Sequence, residues 1–382
     1  MKDVYLDNAA TTKMDPKVTK AMLPYFDGKY GNASSTHTKG REAKNAMEWA
    51  RKIIAKSIGA APEEIIFTSG GTESNNFAIK SIAFTNRGKG NHIIITKTEH
   101  DCVMNTCKWL QTQGFEVTYL DVNKEGFVKP EELEKSITPK TILVSIIHGN
   151  NEIGTIQDLK VLGEVCKKHN VYLHTDACQS YTKTELDVRK APIDLITLNA
   201  HKIHGPKGVG ALYIRRGTSI AGWQHGGGHE RNLRSGTENI PGIIGFAEAV
   251  RQASNKKHIK HMTRLRDKLI KEVLDNIPET QLNGPRDDKR LCNNINFYFA
   301  RVEGEAIGGY LDLKGVASST GSACSSHNLE PSHVLQAIGR SKAEANGSLR
   351  LSISRFTTEE EIDYVLGVLP GIIKKLRLIS PL

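Results

Sequence analysis

Cysteine is scarce: six residues in 382, at 102, 107, 166, 178, 292 and 324. That is too few for a disulfide-built scaffold. No Cys-x-x-Cys pair occurs among them, which argues against a tetrahedral zinc site on that spacing. Thiols of this kind are mostly small core residues, so context has to single out any that reacts. Long apolar runs are lacking too. The longest, Ile142-Leu143-Val144-Ser145-Ile146-Ile147, has the length of a buried strand, far short of the ~18 apolar residues of a spanning helix. The start, Met1-Lys2-Asp3-Val4-Tyr5-Leu6-Asp7, carries two early acids and no apolar central region, unlike a signal peptide. The expectation is a cytoplasmic protein without membrane association. Internal repeats and low-complexity segments are absent.

The net charge is +10, which favours anionic ligands. The basic residues are dispersed, with only short pairs such as Lys256-Lys257 and Lys374-Lys375. With no arginine-rich run or RNA-binding signature, direct nucleic-acid binding is not expected.

From about residue 60 to 215, short apolar runs alternate with amphipathic segments. The runs at 64–68, 92–96, 115–120, 141–147, 171–176, 194–199 and 210–214 predict strands, and 73–86, 101–113, 131–136 and 157–169 predict helices. Several strands are apolar at consecutive positions, as when helices cover both faces of a parallel sheet. The expected class is α/β, three-layered, with a mainly parallel sheet. After about residue 256 the pattern changes to a charged helix (257–276), a strand (293–300), a helix (304–313), a strand (348–354) and a last helix from a capping-box-like Thr357-Thr358-Glu359-Glu360-Glu361. This predicts a large domain over 16–256 and a smaller α+β domain made of 1–15 and 257–382.

In open parallel sheets, ligands bind at the carboxyl ends of the strands. The run 64–68 leads into Ser69-Gly70-Gly71-Thr72-Glu73-Ser74-Asn75 and a helix, where free amides and the positive dipole end can approach a phosphate. No Gly-Lys-Ser/Thr follows, so a nucleotide P-loop is excluded. Other strand ends add His100, then Asn150-Asn151-Glu152, then Asp176 with Gln179, and then Asn199 followed by His201-Lys202. Taken singly, each is more often structural. Together they supply a ring to stack, a carboxylate, amides, a lysine and a phosphate cradle, which is the set that pyridoxal phosphate (PLP) requires.

Taken with Tyr5-Leu6-Asp7-Asn8-Ala9-Ala10-Thr11-Thr12, Asn150-Asn151-Glu152-Ile153-Gly154, His201-Lys202-Ile203-His204-Gly205-Pro206, Arg234-Ser235-Gly236-Thr237, Gly321-Ser322-Ala323-Cys324 and Arg350-Leu351-Ser352, the chain resembles the NifS/IscS-type cysteine desulfurases of the class-V aminotransferase family along its whole length. The resemblance implies a fold-type I PLP enzyme and a homodimer that converts L-cysteine to L-alanine, with sulfur passing to a persulfide on Cys324. It further implies that Lys202 binds the coenzyme and His100 stacks on it and shuttles protons. Asp176 would pair with the pyridine nitrogen, and Gln179 and Asn151 would lie by the phenolic oxygen. Gly71, Thr72 and His201 would hold the phosphate, with Asn199 in the place of a common serine and Thr237 arriving from the other subunit. Arg350 would clamp the substrate carboxylate.

Cys324 sits in a run of small polar residues on a segment spanning about 316–330, with Pro331 expected near the first position of a helix and Gly339 after its end. Through an iron–sulfur scaffold, or another sulfur acceptor, Cys324 would also serve as a transient cluster ligand. The chain stops at Ser380-Pro381-Leu382, short of the partner-binding tail of housekeeping members, which implies weaker scaffold docking. The competing activities are those of other PLP enzymes, an aminotransferase or a selenocysteine lyase, which would use Lys202 without Cys324, and a non-catalytic sulfur carrier.

Overall fold

The computed structural model describes residues 2–321 and 331–380. The chain opens with β1 (Val4–Tyr5), α1 (Pro16–Met22) and α2 (Thr38–Ser57). Strands and helices then alternate: β2 (Ile65–Thr68), α3 (Gly71–Thr85), β3 (His92–Thr96), α4 (Asp101–Thr112), β4 (Glu116–Leu120), α5 (Pro130–Ser136), β5 (Thr141–Ser145), α6 (Leu159–Lys168) and β6 (Tyr172–Asp176). Two further strands, β7 (Leu195–Asn199) and β8 (Gly210–Ile214), lead to α7 (Ile240–Ala253) and α8 (Lys256–Asn276). The remainder holds β9 (Thr280–Leu282), β10 (Asn294–Phe299), α9 (Gly304–Asp312), β11 (Val316–Ala317), α10 (His333–Ala337), α11 (Lys342–Asn346), β12 (Ser348–Ser352) and α12 (Glu359–Ile379).

Seven strands form one sheet in the order β2-β8-β7-β6-β5-β3-β4. Pairing is parallel except at β8, which runs antiparallel to both β2 and β7. The consecutive apolar runs follow from burial on both faces. In β3, Ile94 packs in the cluster that holds Ala50 and Ile54 of α2 and Phe246 of α7, whereas Ile93 and Ile95 pack with Phe77 of α3 and Val103 of α4. Each such side chain contributes roughly 1.5–3 kcal/mol by leaving water. The result is a helix–sheet–helix sandwich whose strand ends point into one crevice.

A second core gathers the antiparallel sheet β12-β10-β9 with α8, α9 and α12. Val4 and Leu6 belong to it, while Val18 and Met22 belong to the large-sheet core, so the first residues cross between the two. The capping box at α12 forms as the sequence predicts: Thr358 Oγ1 accepts from Glu361 N at 3.2 Å and Glu361 Oε2 from Thr358 N at 2.7 Å. At α10 the cap is Ser332, whose Oγ accepts from Leu335 N. Pro331 therefore stands before the cap rather than at the first helical position.

Candidate active site

Helix α3 starts directly after β2, and Gly70 adopts φ 154° there with no side-chain cap on the helix. The first amides of α3 thus remain open to an anion. Gly71 is tied to glycine by its packing, because a Cβ there would lie 2.7 Å from Cys178 Sγ. The amide nitrogen of Asn199, at the end of β7, would lie 3.6 Å from the same Cβ, so Asn199 borders the helix start. Thr72 is the second residue of α3, and its carbonyl accepts from Asn76 Nδ2 at 3.0 Å.

Asp176 ends β6 and is buried. Its carboxylate is oriented from two sides: Asn75 Nδ2 donates to Oδ2 at 2.7 Å, and the Cys178 amide donates to Oδ1 at 2.8 Å. His100 caps α4, its Nδ1 accepting from the Cys102 amide at 3.2 Å. Burial holds its imidazole below the ordinary range, against the pull of Asp176. With Nδ1 an acceptor, the proton of the neutral ring sits on Nε2. The Cys178 thiol is pushed far up by burial and then by Asp176, and it serves as packing.

The N-terminal segment closes the crevice. Lys202 Nζ donates to the Ala9 carbonyl at 2.7 Å, and Gln179 Nε2 donates to the same oxygen at 2.8 Å. Thr12 Oγ1 donates to the His201 carbonyl at 2.7 Å and accepts from the His204 amide at 2.9 Å. Thr11 Oγ1 lies 3.1 Å from His201 Nδ1. Burial, with Lys202 and Lys207 adding to it, brings the His201 ring down to about 4. Two residues before Ala9, Asp7 Oδ1 accepts from Arg350 Nη2 at 3.0 Å. Arg350 Nη1 donates to the Asn151 carbonyl at 3.1 Å.

Asp7 and Asn75 are the contributors that sequence patterns did not single out by role. The signal available for both was only their place in the Tyr5–Thr12 and Ser69–Asn75 segments. Thr237 is exposed in the single chain, in the segment that Arg234 ties to α3 by donating Nε to Glu73 Oε1 at 2.8 Å. Cys324 lies outside the described residues, as does any cluster ligation by it. Among the described residues, no group of three or more His, Cys, Asp or Glu side chains could hold a metal ion.

Among the described residues, the buried polar atoms without a hydrogen-bond partner include four from this site: Asn75 Oδ1, Asn151 Oδ1, Asn199 Oδ1 and Arg350 Nε. Buried polar groups are almost always satisfied, so these mark a place for a polar guest. With a fixed carboxylate, a lysine and an open helix start, the donor set fits PLP.

The class-V aminotransferase family matches residues 4–365. A cysteine desulfurase IscS of Dictyoglomus turgidum is 53% identical over 382 residues, covering 100% of this chain and 97% of that protein. A solved NifS-like protein superposes with a TM-score of 0.92 at 40% identity, covering 98% of this chain and 100% of the other. The solved structure described as SspA in complex with cysteine gives 0.84 at 36% identity, covering 93% of this chain and 100% of that one.

Proposed function

The chain belongs to the class-V aminotransferase family and, within it, to the cysteine desulfurases; from that premise we propose that its sulfur transfer runs on Lys202 and Cys324. The protein is a PLP-dependent cysteine desulfurase acting on L-cysteine. The observation that carries the assignment of residues is the short N-terminal segment. Its Ala9 carbonyl takes the Lys202 amine and its Asp7 carboxylate takes the Arg350 guanidinium. Asp7 and Ala9 belong to one turn, closed by the Ala10 amide donating to the Asp7 carbonyl at 3.0 Å, so an amine for the coenzyme and a clamp for a carboxylate are tied to the same short segment.

Bound there, PLP supplies an electron sink that acidifies the α-proton of cysteine and activates its side chain. Lys202 would hold the coenzyme, Asp176 its pyridine nitrogen, and Gln179 and Asn151 its phenolic oxygen. Gly71, Thr72, Asn199 and His201 would hold the phosphate, completed in a homodimer by the partner subunit's Thr237. Exposed Leu23, Phe26 and Tyr30 give the single chain an apolar surface that supports a dimer.

Arg350 would grip the substrate carboxylate through a bidentate pair, a task suited to a planar guanidinium. His100 would stack on the ring and deliver a proton from Nε2, and Lys202 would carry the α-proton. The Cys324 thiolate would attack the substrate sulfur. The C–S bonding pair stays with the substrate carbon, which takes up a proton, and the products are alanine and a Cys324 persulfide. No outside oxidant is needed. The persulfide then passes to a cytoplasmic acceptor such as an iron–sulfur scaffold or a thiolation protein.

The described neighbours of Cys324 support this placement. Ser319 and Arg350 exchange backbone hydrogen bonds of 2.6 and 3.2 Å, so the chain enters the cysteine-bearing segment beside the carboxylate clamp. The test is turnover of L-cysteine by three proteins. Wild type should form alanine and sulfane sulfur in equal amounts. Lys202→Ala should lose both turnover and the visible band of lysine-bound coenzyme. Cys324→Ala should keep the band and lose sulfur transfer, and undiminished sulfur transfer by it would refute the proposal.

A further inference from the structure

One half-buried cation near the coenzyme lysine has no part in the chemistry described so far. Lys183 lies one turn beyond Gln179 and donates from Nζ to the Gln179 carbonyl at 2.8 Å. On one side it lines a small cavity of about 30 Å³ together with Lys202, Ile203 and His204, enough space for a water molecule. On the other side it borders an open cleft of about 940 Å³ between the two cores, shared with His148, Arg266 and Cys292. Lys183 therefore bridges solvent and the back of the coenzyme site.

We propose that the Lys183 ammonium tunes Lys202, lowering the affinity of the coenzyme-bearing nitrogen for its proton through the cavity that the two lysines share. The physical basis is like charge in a poorly solvated place, where two neighbouring amines disfavour each other's protonated forms. A lysine can be made nucleophilic near neutral pH in this way. The groups that act on Lys183 are Cys292, Lys202 and Cys178, none of them a carboxylate. Its field also reaches His201 and His204, on the strand end that carries Lys202. Charges of both signs, Arg266, Asp267 and Glu185 among them, line the outer cleft, and Arg355 and His258 line the small cavity with the two lysines. Burial draws the Lys183 ammonium down to about 8, so its own charge varies over the working range of pH.

The inference rests on Lys202 as the coenzyme lysine, and the experiment separates the two. The visible spectrum of the holoenzyme is titrated with pH in wild type, Lys183→Met, Lys183→Gln and Lys183→Arg, with thermal unfolding as a check on folding. Methionine removes the charge at similar length. Glutamine removes it while keeping a donor for the Gln179 carbonyl, so one of the two serves if the other does not fold.

The expected result is that the midpoint of the lysine-bound band rises by about half a pH unit or more in the Met and Gln variants, and that Lys183→Arg stays near wild type. A wild-type midpoint in folded, coloured Met or Gln variants overturns the inference. So does an equal rise in the Arg variant, which would assign the effect to packing. Persistence of the titrating band in Lys202→Ala would instead sink the reading of Lys202 itself.

Discussion

Ser332 Oγ donates to Glu152 Oε2 at 2.6 Å, across 180 positions of sequence. A Cβ on Gly321 would lie 3.5 Å from the same oxygen. The described residues on either side of the Cys324-bearing segment thus meet at one buried carboxylate, next in sequence to Asn151. Glu152 is itself fixed, its backbone carbonyl accepting from Asn294 Nδ2 at 3.0 Å and Asn296 Nδ2 at 3.1 Å. Ser332→Ala and Glu152→Gln should slow persulfide formation on Cys324 by about tenfold, the equivalent of ~1.4 kcal/mol, with the coenzyme spectrum unchanged. Rapid-quench mass spectrometry reads the rate; an unchanged rate in both variants contradicts the role.

Gly71 and Cys178 make a testable pair. A methyl at residue 71 would meet the Cys178 sulfur at 2.7 Å, so Gly71→Ala should cost about 1–3 kcal/mol by overpacking and weaken PLP binding. Adding Cys178→Ala removes the obstructing atom and should restore most of the loss. Cys178→Ala alone should retain sulfur transfer. Denaturant unfolding and PLP titration check the first two outcomes, and cysteine turnover checks the third.

Histidines shielded wholly or partly from water set the acid side of the stability curve. Burial is the leading cause that holds His148, His174, His201 and His204 down to about 4. An unfolded histidine takes its proton near ~6.5. Between about 6.5 and about 4 the unfolded chain therefore binds more protons, and stability falls as pH falls. Glu99 acts in the opposite sense. Burial lifts its carboxyl to about 8, so its contribution is full at low pH and is lost as pH rises through that value. His92, His100 and His258 are lowered as well, and Asp194 is raised beside Glu99; the histidines outnumber the carboxyls, so the apoprotein should melt several degrees lower at pH 5 than at pH 7. A melting temperature that is flat or rising toward pH 5 would contradict this balance.

Arg350 should act on substrate rather than on coenzyme. A lysine side chain at this position would keep a positive charge for Asp7 but lose the planar pair of donors. Arg350→Lys should lower kcat/KM for cysteine by about 30–100-fold, the equivalent of ~2–3 kcal/mol, chiefly through KM, and leave the visible spectrum intact. Steady-state kinetics with cysteine as the varied substrate check it, and an unchanged KM would contradict the clamp.

The strands of the large sheet were legible because burial on both faces writes a continuous apolar run, as in Ile93-Ile94-Ile95. The direction of β8 was not, since Gly210–Ile214 is equally buried on both faces and periodicity carries no sense of direction. Helix α7 is buried on nearly all sides, so no polar face marks it. The buried positions of α2 are largely small, with Ala43, Ala50 and Ala55 among them, which blunts its stripe. At the site, the strand-end polar residues could be gathered from order alone. The pairs that orient them could not: Arg350 with Asp7 spans 343 positions and Asn75 with Asp176 spans 101, and no local pattern encodes such meetings.

The most direct measurement is the mass of each cysteine-containing peptide after the holoenzyme is mixed with L-cysteine without an acceptor. One extra sulfur atom on the Cys324 peptide, appearing in step with one alanine per active site and absent in Lys202→Ala, is the predicted result. Sulfur carried on Cys102, Cys178 or any other cysteine instead, or alanine formed with no sulfur retained on Cys324, would contradict the account.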